Sequence, residues 1–328
     1  MKYNGSSLAL GTWPMSGDGR YGKIDDAGAT EAIHVALDRG VTTFDTAPGY
    51  GGGHAEELLG AALRGRREQA IIATKFGVVS GPPGQPGRDS SRAHILGQIE
   101  QSLRRLQTDY VDIYMVHWPD PKTPLEETLR ALDDLVRAGK ARLIGVSNFD
   151  LELIVQCGKV RPVDVVQVGY NLFDRRMERS VFPYCVEHGI GVMAYGPLAH
   201  GLLTGAFAED FTFEPRDWRS RGVVNGQPIL SEGHFQQNIR VVNRLRDEVA
   251  APKGLTVAQL ALAWVLRQGA VTTAIVGARS SAEINEDLAV TRTTLSDADL
   301  ADIDGIMSGS TGQVDVFLPF RWAMERWN

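Results

Sequence analysis

Two cysteines in 328 residues, Cys157 and Cys185, leave nothing for a disulfide framework. Both lie in apolar, helix-patterned surroundings, where a thiol serves as a small buried hydrophobe. Basic clusters are missing too. Lys and Arg number 34 against 40 Asp and Glu, a formal charge of −6, with no Lys/Arg-rich face of the kind nucleic acid requires. No uncharged apolar stretch is long enough to cross a bilayer, and MKYNGSSLALG lacks the basic start and apolar centre of a secretory signal. A cytoplasmic protein is expected, away from membranes. The seven histidines form no close-spaced set with cysteine or carboxylate, so no metal site is expected. A dinucleotide fingerprint is also lacking. GTWPMSGDG has no glycines in the right frame, and Gly49, Gly51, Gly52 and Gly53 miss the G-x-G-x-x-G spacing. That counts against a doubly wound open sheet.

What is present is alternation. SLALG reads as a strand, and residues 25–40 follow as a helix with Ala32, Ile33, Ala36 and Leu37 on one stripe. Next come a strand over 42–45, a helix over 54–63, a strand over 70–75 and a helix over 92–106. A strand over 111–117 leads to a helix over 124–138, with Pro124 in its first turn and Gly139 just past its end. LIGVS, VDVVQVG, GVMAY and TTAIVG complete the strands, with helices over 151–157, 180–188, 258–267 and 281–290. Eight strand-then-helix units in about 290 residues predict an α/β fold, a single-domain (β/α)8 TIM barrel over 1–328. Three stretches break the pattern. Residues 77–91 are rich in Gly and Pro, and 205–232 carry Phe211, Phe213 and Trp218 among charges. Both leave the C-terminal ends of strands, which suits lids or pocket walls. The tail over 308–328 holds Phe317, Phe320, Trp322 and Trp327, and is expected to pack on the barrel rim or at a subunit contact.

Four polar residues stand at strand ends: Asp45 and Tyr50 in FDTAPGY, Lys75 closing IIATK, and His117 in VDIYMVHW. Singly, each has an ordinary explanation as a helix cap, a packing ring, a solvated lysine or a structural histidine. Jointly, on the second, third and fourth strands, they converge on one rim. A phenol titrates near ~10, and an adjacent ammonium lowers that value toward the range of a general acid. The expected roles follow. Tyr50 donates a proton to a carbonyl oxygen, Lys75 tunes it, Asp45 holds Lys75, and His117 orients the oxygen.

These segments resemble the aldo-keto reductase superfamily along nearly the whole chain. The matching stretches are GTW at 11–13, FDTAPGYG at 44–51, ATKFG at 73–77 and SLRRLQTDYVDIYMVHWPDP at 102–121. They continue with GKARLIGVSNF at 139–149, VVQVGYNLFDR at 165–175, YGPLAHGLLTG at 195–205 and IVGARS at 275–280. The DWRSR segment resembles the bacterial branch that includes inositol-utilisation and general-stress reductases. The resemblance implies an oxidoreductase that reduces aldehydes or ketones by direct hydride transfer from NADPH, with NAD as the other possible coenzyme. It implies that Ser147, Asn148 and Gln167 bond the nicotinamide carboxamide, which needs both donors and acceptors. By the same pattern Tyr195 stacks on the nicotinamide ring, beside Asp45, and Gly11, Thr12 and Trp13 lie beneath it. Backbone around Gly196, Pro197, Leu198, Gly201 and Leu202 would line the pyrophosphate. Trp13 and Trp118 would wall the substrate pocket with Tyr50 and His117.

Residues 277–287, GARSSAEINED, are expected to set coenzyme preference. Gly277, Ala278, Arg279 and Ser281 fall where a strand gives way to a helix start, a natural anion site, and Arg279 can pair with a 2′-phosphate. Glu283 and Glu286 fall where family members contact the adenosine. Asp287 stands where Asn is common, and as an acid it is expected to lose a donor and add negative charge. The family's N-terminal hairpin, which plugs the barrel floor, has little sequence to form it here. Two other functions compete with this one: an NADPH-binding regulatory subunit of the same fold, resembling potassium-channel β subunits, and a barrel isomerase or lyase acting on sugar phosphates. A small carbonyl compound is the expected partner, to a monomer or homo-oligomer.

Overall fold

Strands that are apolar on both faces need cover on both sides, and a barrel ringed by helices supplies it. The computed structural model describes residues 3–79 and 87–315, apart from the side chains of 291 and 292. Its barrel strands are β1 (Leu8–Gly11), β2 (Thr43–Asp45), β3 (Ile71–Phe76), β4 (Val111–Val116), β5 (Ala141–Ser147), β6 (Val165–Gly169), β7 (Gly191–Tyr195) and β8 (Val271–Gly277). All pair in parallel, and β1 closes the ring between β2 and β8. The (β/α)8 expectation is met.

Two apolar cores result. The larger lies between strands and helices. The smaller fills the barrel with Tyr3, Ala9, Ala73, Ile113, Met115, Val165, Met193 and Ile275. Tyr3 answers the question of the floor. Residues 3–7 contain no strand, and the Tyr3 ring itself plugs the barrel, its hydroxyl bonded to Thr273 Oγ1 at 2.7 Å and Thr43 Oγ1 at 3.2 Å. Gly191 makes room, since a Cβ there would stand 2.9 Å from the ring.

The surrounding helices are α1 (Asp26–Asp38), α2 (His54–Ala62), α3 (Arg92–Leu106), α4 (Leu125–Arg137), α5 (Leu151–Val160), α6 (Val181–Glu187), α7 (His234–Arg244), α8 (Val257–Leu266), α9 (Ser281–Leu288) and α10 (Asp297–Met307). Side-chain caps start several of them. Asp25 accepts the amides of Ala27 and Gly28, and Thr256 forms a capping box with Gln259. Pro124 is the cap residue of α4 rather than part of its first turn. Two helices, α7 and α10, fall outside the sequence expectation. Helix α7 continues through a wider turn over Leu245–Ala250.

The long loops are tied to the barrel's upper end. Val78–Val79 pairs with Gly87–Arg88 as a short hairpin. In the loop after β7, Phe207 packs on Phe211, Phe213 and Phe235 with ring centroids 4.5, 5.3 and 6.0 Å away. The start of the tail is fastened to α7, where Thr311 and Asn238 exchange backbone–amide bonds of 2.9 and 3.0 Å. Phe317, Phe320, Trp322 and Trp327 lie outside the described residues. Among the described residues no single helix is long and apolar enough to cross a membrane.

Candidate active site

The alternation of strand side chains decides which polar groups enter the barrel. Ala9, Ala73, Ile113, Met115, Val165, Met193 and Ile275 point inward. Counting on by two reaches Gly11, Lys75, His117, Gln167, Tyr195 and Gly277. Thr43, bonded to the Tyr3 plug, places Asp45 on the same parity. Parallel register then sets Gly11 beside both Gly277 and Asp45, and Ser147 beside Gln167. One rim therefore gathers the residues that the sequence pattern singled out.

Lys75 is fully buried. Its ammonium donates to Asp45 Oδ1 and Oδ2 at 2.7 and 2.9 Å, to the Thr46 carbonyl at 2.9 Å and to the Tyr50 hydroxyl at 3.3 Å. Gln167 Nε2 donates to the same carboxylate at 2.8 Å. Tyr50 is presented by a tight turn over Tyr50–Gly53. Gly51 there has φ 64° and faces the Ser16 carbonyl so closely that a Cβ would stand 1.8 Å from its oxygen. Only glycine fits.

The electrostatics correct one expectation. Burial first, and then the Asp45 charge, raise the Tyr50 phenol well above its ordinary value. The Lys75 ammonium, 3.3 Å from the hydroxyl and paired with Asp45, does not outweigh them. Burial lowers Lys75 itself, opposed by Asp45 and Glu56. His117 is pushed well below the ordinary imidazole range by burial and by the charges of Lys75 and Arg88. Its ring is neutral, with one N–H to donate. The free site thus holds a protonated phenol beside a neutral imidazole, the rings 6.0 Å apart and nearly perpendicular.

An aromatic roof covers this group. Trp13 stacks on Tyr50 at 5.9 Å and on Trp218 at 5.2 Å, while Tyr21 meets Trp13 edge-on at 5.1 Å. His200 meets Trp218 edge-on at 5.0 Å. Arg219 fixes the roof with a two-pronged bond to Asp217 and a third to the His200 carbonyl. Trp118 lies to one side, its ring 5.7 Å from the Arg88 guanidinium of the short hairpin. Tyr21 and His200 were not foreseen in the site, and Trp218 only as part of a long loop. Aromatics within polar loops were the available signal.

The residues expected to hold a nicotinamide form a connected set. Asn148, in left-handed backbone at φ 62°, donates to the His117 carbonyl at 3.0 Å and to Ser147 Oγ at 3.1 Å. Its Oδ1 accepts the Tyr195 hydroxyl at 2.8 Å, and Asn225 Oδ1, also unforeseen, lies 3.1 Å from that hydroxyl. Among the described residues no partner takes the Ser147 hydroxyl proton or Gln167 Oε1. A donor and an acceptor are thus left at the rim, which is what a carboxamide demands. Thr12 is committed to the Asp45 carbonyl through both its amide and its hydroxyl. After β7, Gly196, Ala199, His200 and Gly201 all have positive φ and fold Pro197, Leu198 and their neighbours into tight turns. Leu202 and Ala278 are fully buried.

At the far end of the rim, Arg279 is engaged with Glu283 and with the Tyr21 carbonyl. Ser280 caps α9, and Ser281 is its first residue. Asp287 is 5% exposed, and burial with the charges of Glu286 and Glu283 pushes its carboxyl up to about 8. It therefore keeps its proton at neutral pH and can donate as an amide does, contrary to the expectation of an added negative charge. Among the described residues no group of His, Cys, Asp and Glu could hold a metal.

Comparison with known proteins agrees with this geometry. Residues 7–308 match the aldo/keto reductase family. The chain is 40% identical over 307 residues to aldo-keto reductase YhdN of Bacillus subtilis (strain 168), covering 93% of this chain and 91% of that one. It superposes on the glycerol dehydrogenase AKR11B4 from Gluconobacter oxydans with a TM-score of 0.85 and 36% identity, over 96% and 95% of the two chains. An aldo-keto reductase from Klebsiella pneumoniae in complex with NADPH gives a TM-score of 0.71 and 33% identity, over 95% and 94%.

Proposed function

The chain belongs to the aldo/keto reductase family, and from that premise we propose that its rim site reduces an aldehyde or ketone to the alcohol with NADPH as coenzyme. The observation that carries the proposal is the Lys75 ammonium, bonded at once to Asp45 and to a Tyr50 phenol that burial keeps protonated. When bound, the coenzyme supplies the hydride. The chain supplies everything else. Ser147, Asn148 and Gln167 receive the carboxamide, and Tyr195 offers a flat ring face at the end of β7. The His117 N–H orients the carbonyl oxygen and polarises it. Tyr50 then delivers its proton to that oxygen, an alkoxide being a stronger base than a phenolate. The phenolate left behind faces the Lys75 ammonium, already 3.3 Å away. Trp13, Trp118 and Trp218 close the pocket against water, and their bulk favours small carbonyl compounds.

A cytoplasmic setting suits two buried, unpaired thiols. The deciding experiment is Tyr50→Phe. Turnover should fall by about 10²–10⁴-fold, the usual worth of a general acid, while NADPH binding stays close to wild type. Unchanged turnover removes Tyr50 as the donor. Tight NADPH binding by the wild type, with no turnover on any of a broad panel of carbonyls, would point instead to a coenzyme-sensing subunit.

A further inference from the structure

The turn between β8 and α9 already holds an anion, and the anion is the protein's own. Glu283 Oε2 accepts the backbone N–H of Arg279 at 2.7 Å, and Glu283 Oε1 accepts Arg279 Nη2 at 3.0 Å. These are the donors that a phosphate at this helix start would use. The Tyr21 carbonyl holds the other arm of the guanidinium, accepting Nη1 at 3.1 Å. We infer that Glu283 is a coenzyme-selecting residue, whose carboxylate competes with the adenosine 2′-phosphate for Arg279 and so narrows the preference for NADPH over NADH. The inference rests on the coenzyme reading above and assigns the discrimination within it to one acidic side chain.

Three features give the competition its sign. Arg279 and Glu283 side chains are 44% and 41% exposed, so the pair is held weakly and opens to a stronger ligand. Once displaced, Glu283 remains tethered one turn away, a like charge facing the phosphate. A 2′-hydroxyl meets no such repulsion, because it can donate to the same carboxylate. Selection by an added repulsive group is a difference of affinities, and it is read as one.

The test is a double-mutant cycle on coenzyme binding, with dissociation constants for NADPH and NADH measured by titration. Glu283→Gln keeps the side chain's size and removes its charge. It should tighten NADPH by about tenfold and leave NADH within about twofold. In an Arg279→Ala background the same substitution should shift the NADPH to NADH ratio by clearly less than about tenfold, since the contested partner is gone and only the solvent-screened repulsion remains. An equal gain for both coenzymes, or an undiminished gain without Arg279, overturns the assignment. Failure of the wild type to bind either coenzyme overturns the reductase reading and takes this inference with it.

Discussion

Asp287→Asn isolates a cost that the fold bears for burying an acid. Asp287 lies on the inner face of α9, 5% exposed, and its carboxyl is raised from 3.8 to about 8 by burial and by Glu286 and Glu283. In the unfolded chain the same group ionises near ~4. Between those values the folded state binds the proton and the unfolded state has released it. The folded state is therefore favoured by protons, and stability must fall as pH rises through that window. Below it the group has no effect, and above about 8 the cost has reached its limit. A tenfold difference in proton affinity is worth about 1.4 kcal/mol, so the full displacement sets a ceiling on the order of 5 kcal/mol. Asparagine matches the shape, keeps a donor and cannot ionise. Urea unfolding of both proteins from pH 5 to 9 reads the effect directly. The variant should gain about 3 kcal/mol on the wild type between pH 5 and 8, and the gap should then level off. Parallel stability profiles across this range would show that Asp287 is not held protonated.

Two other substitutions separate the ends of the barrel. Trp218→Ala removes one face of the roof over Trp13, and it should lower KM for bulky carbonyls while leaving the smallest substrates little changed; a size series of aldehydes that shows no altered preference would refute the roof. Tyr3→Ala empties the floor and takes a partner from the Thr43 hydroxyl, while Thr273 keeps its bond to the Ser6 carbonyl, and it should cost about 3–5 kcal/mol in denaturant unfolding. Its kcat should be untouched, since the plug lies at the opposite end of the strands from Tyr50.

Local pattern carried much of the fold and the centre of the site. Parity along short strands suffices to send Asp45, Lys75 and His117 to one rim, because a one-residue slip would turn every apolar partner outward. The roof had no such code. Trp218 reaches Trp13 only because Arg219 is clamped to Asp217 and Phe207 anchors the same loop on Phe235. The Trp13–Trp218 and Phe207–Phe235 contacts join distant stretches of chain and leave no periodic trace. Asn225 is hidden in the sequence for the same reason, although its left-handed φ of 49° is typical of asparagine in turns. Helix α7 was legible in principle, since Phe235, Ile239 and Val242 form a stripe. Helix α10 was less so, with Ile303, Ile306 and Met307 its only buried apolar residues and a Ser296–Asp299 capping box to mark its start. The Arg279–Glu283 spacing is that of an ordinary helical pair, yet the sequence pattern points each residue toward the coenzyme rather than toward the other.

The Tyr50 correction changes how the site is understood to work. A donor whose phenol had already been driven toward phenolate would have less to give when the carbonyl arrives. Here burial keeps the proton on Tyr50 until an alkoxide begins to form. Lys75 favours the phenolate it faces, but in the free site burial and Asp45 outweigh it, and its stabilisation is realised as the proton leaves. Asp45 and the Thr46 carbonyl keep that ammonium oriented throughout, and Gln167 secures Asp45 from the far side. The same wiring determines which variants are informative. Removing Lys75 strands a buried carboxylate at a cost of about 3–5 kcal/mol, so lost activity there would mix chemistry with folding. Removing the Tyr50 hydroxyl takes away one long contact of 3.3 Å and leaves the Lys75–Asp45 pair intact. A collapse of turnover in Tyr50→Phe can therefore be assigned to the missing proton.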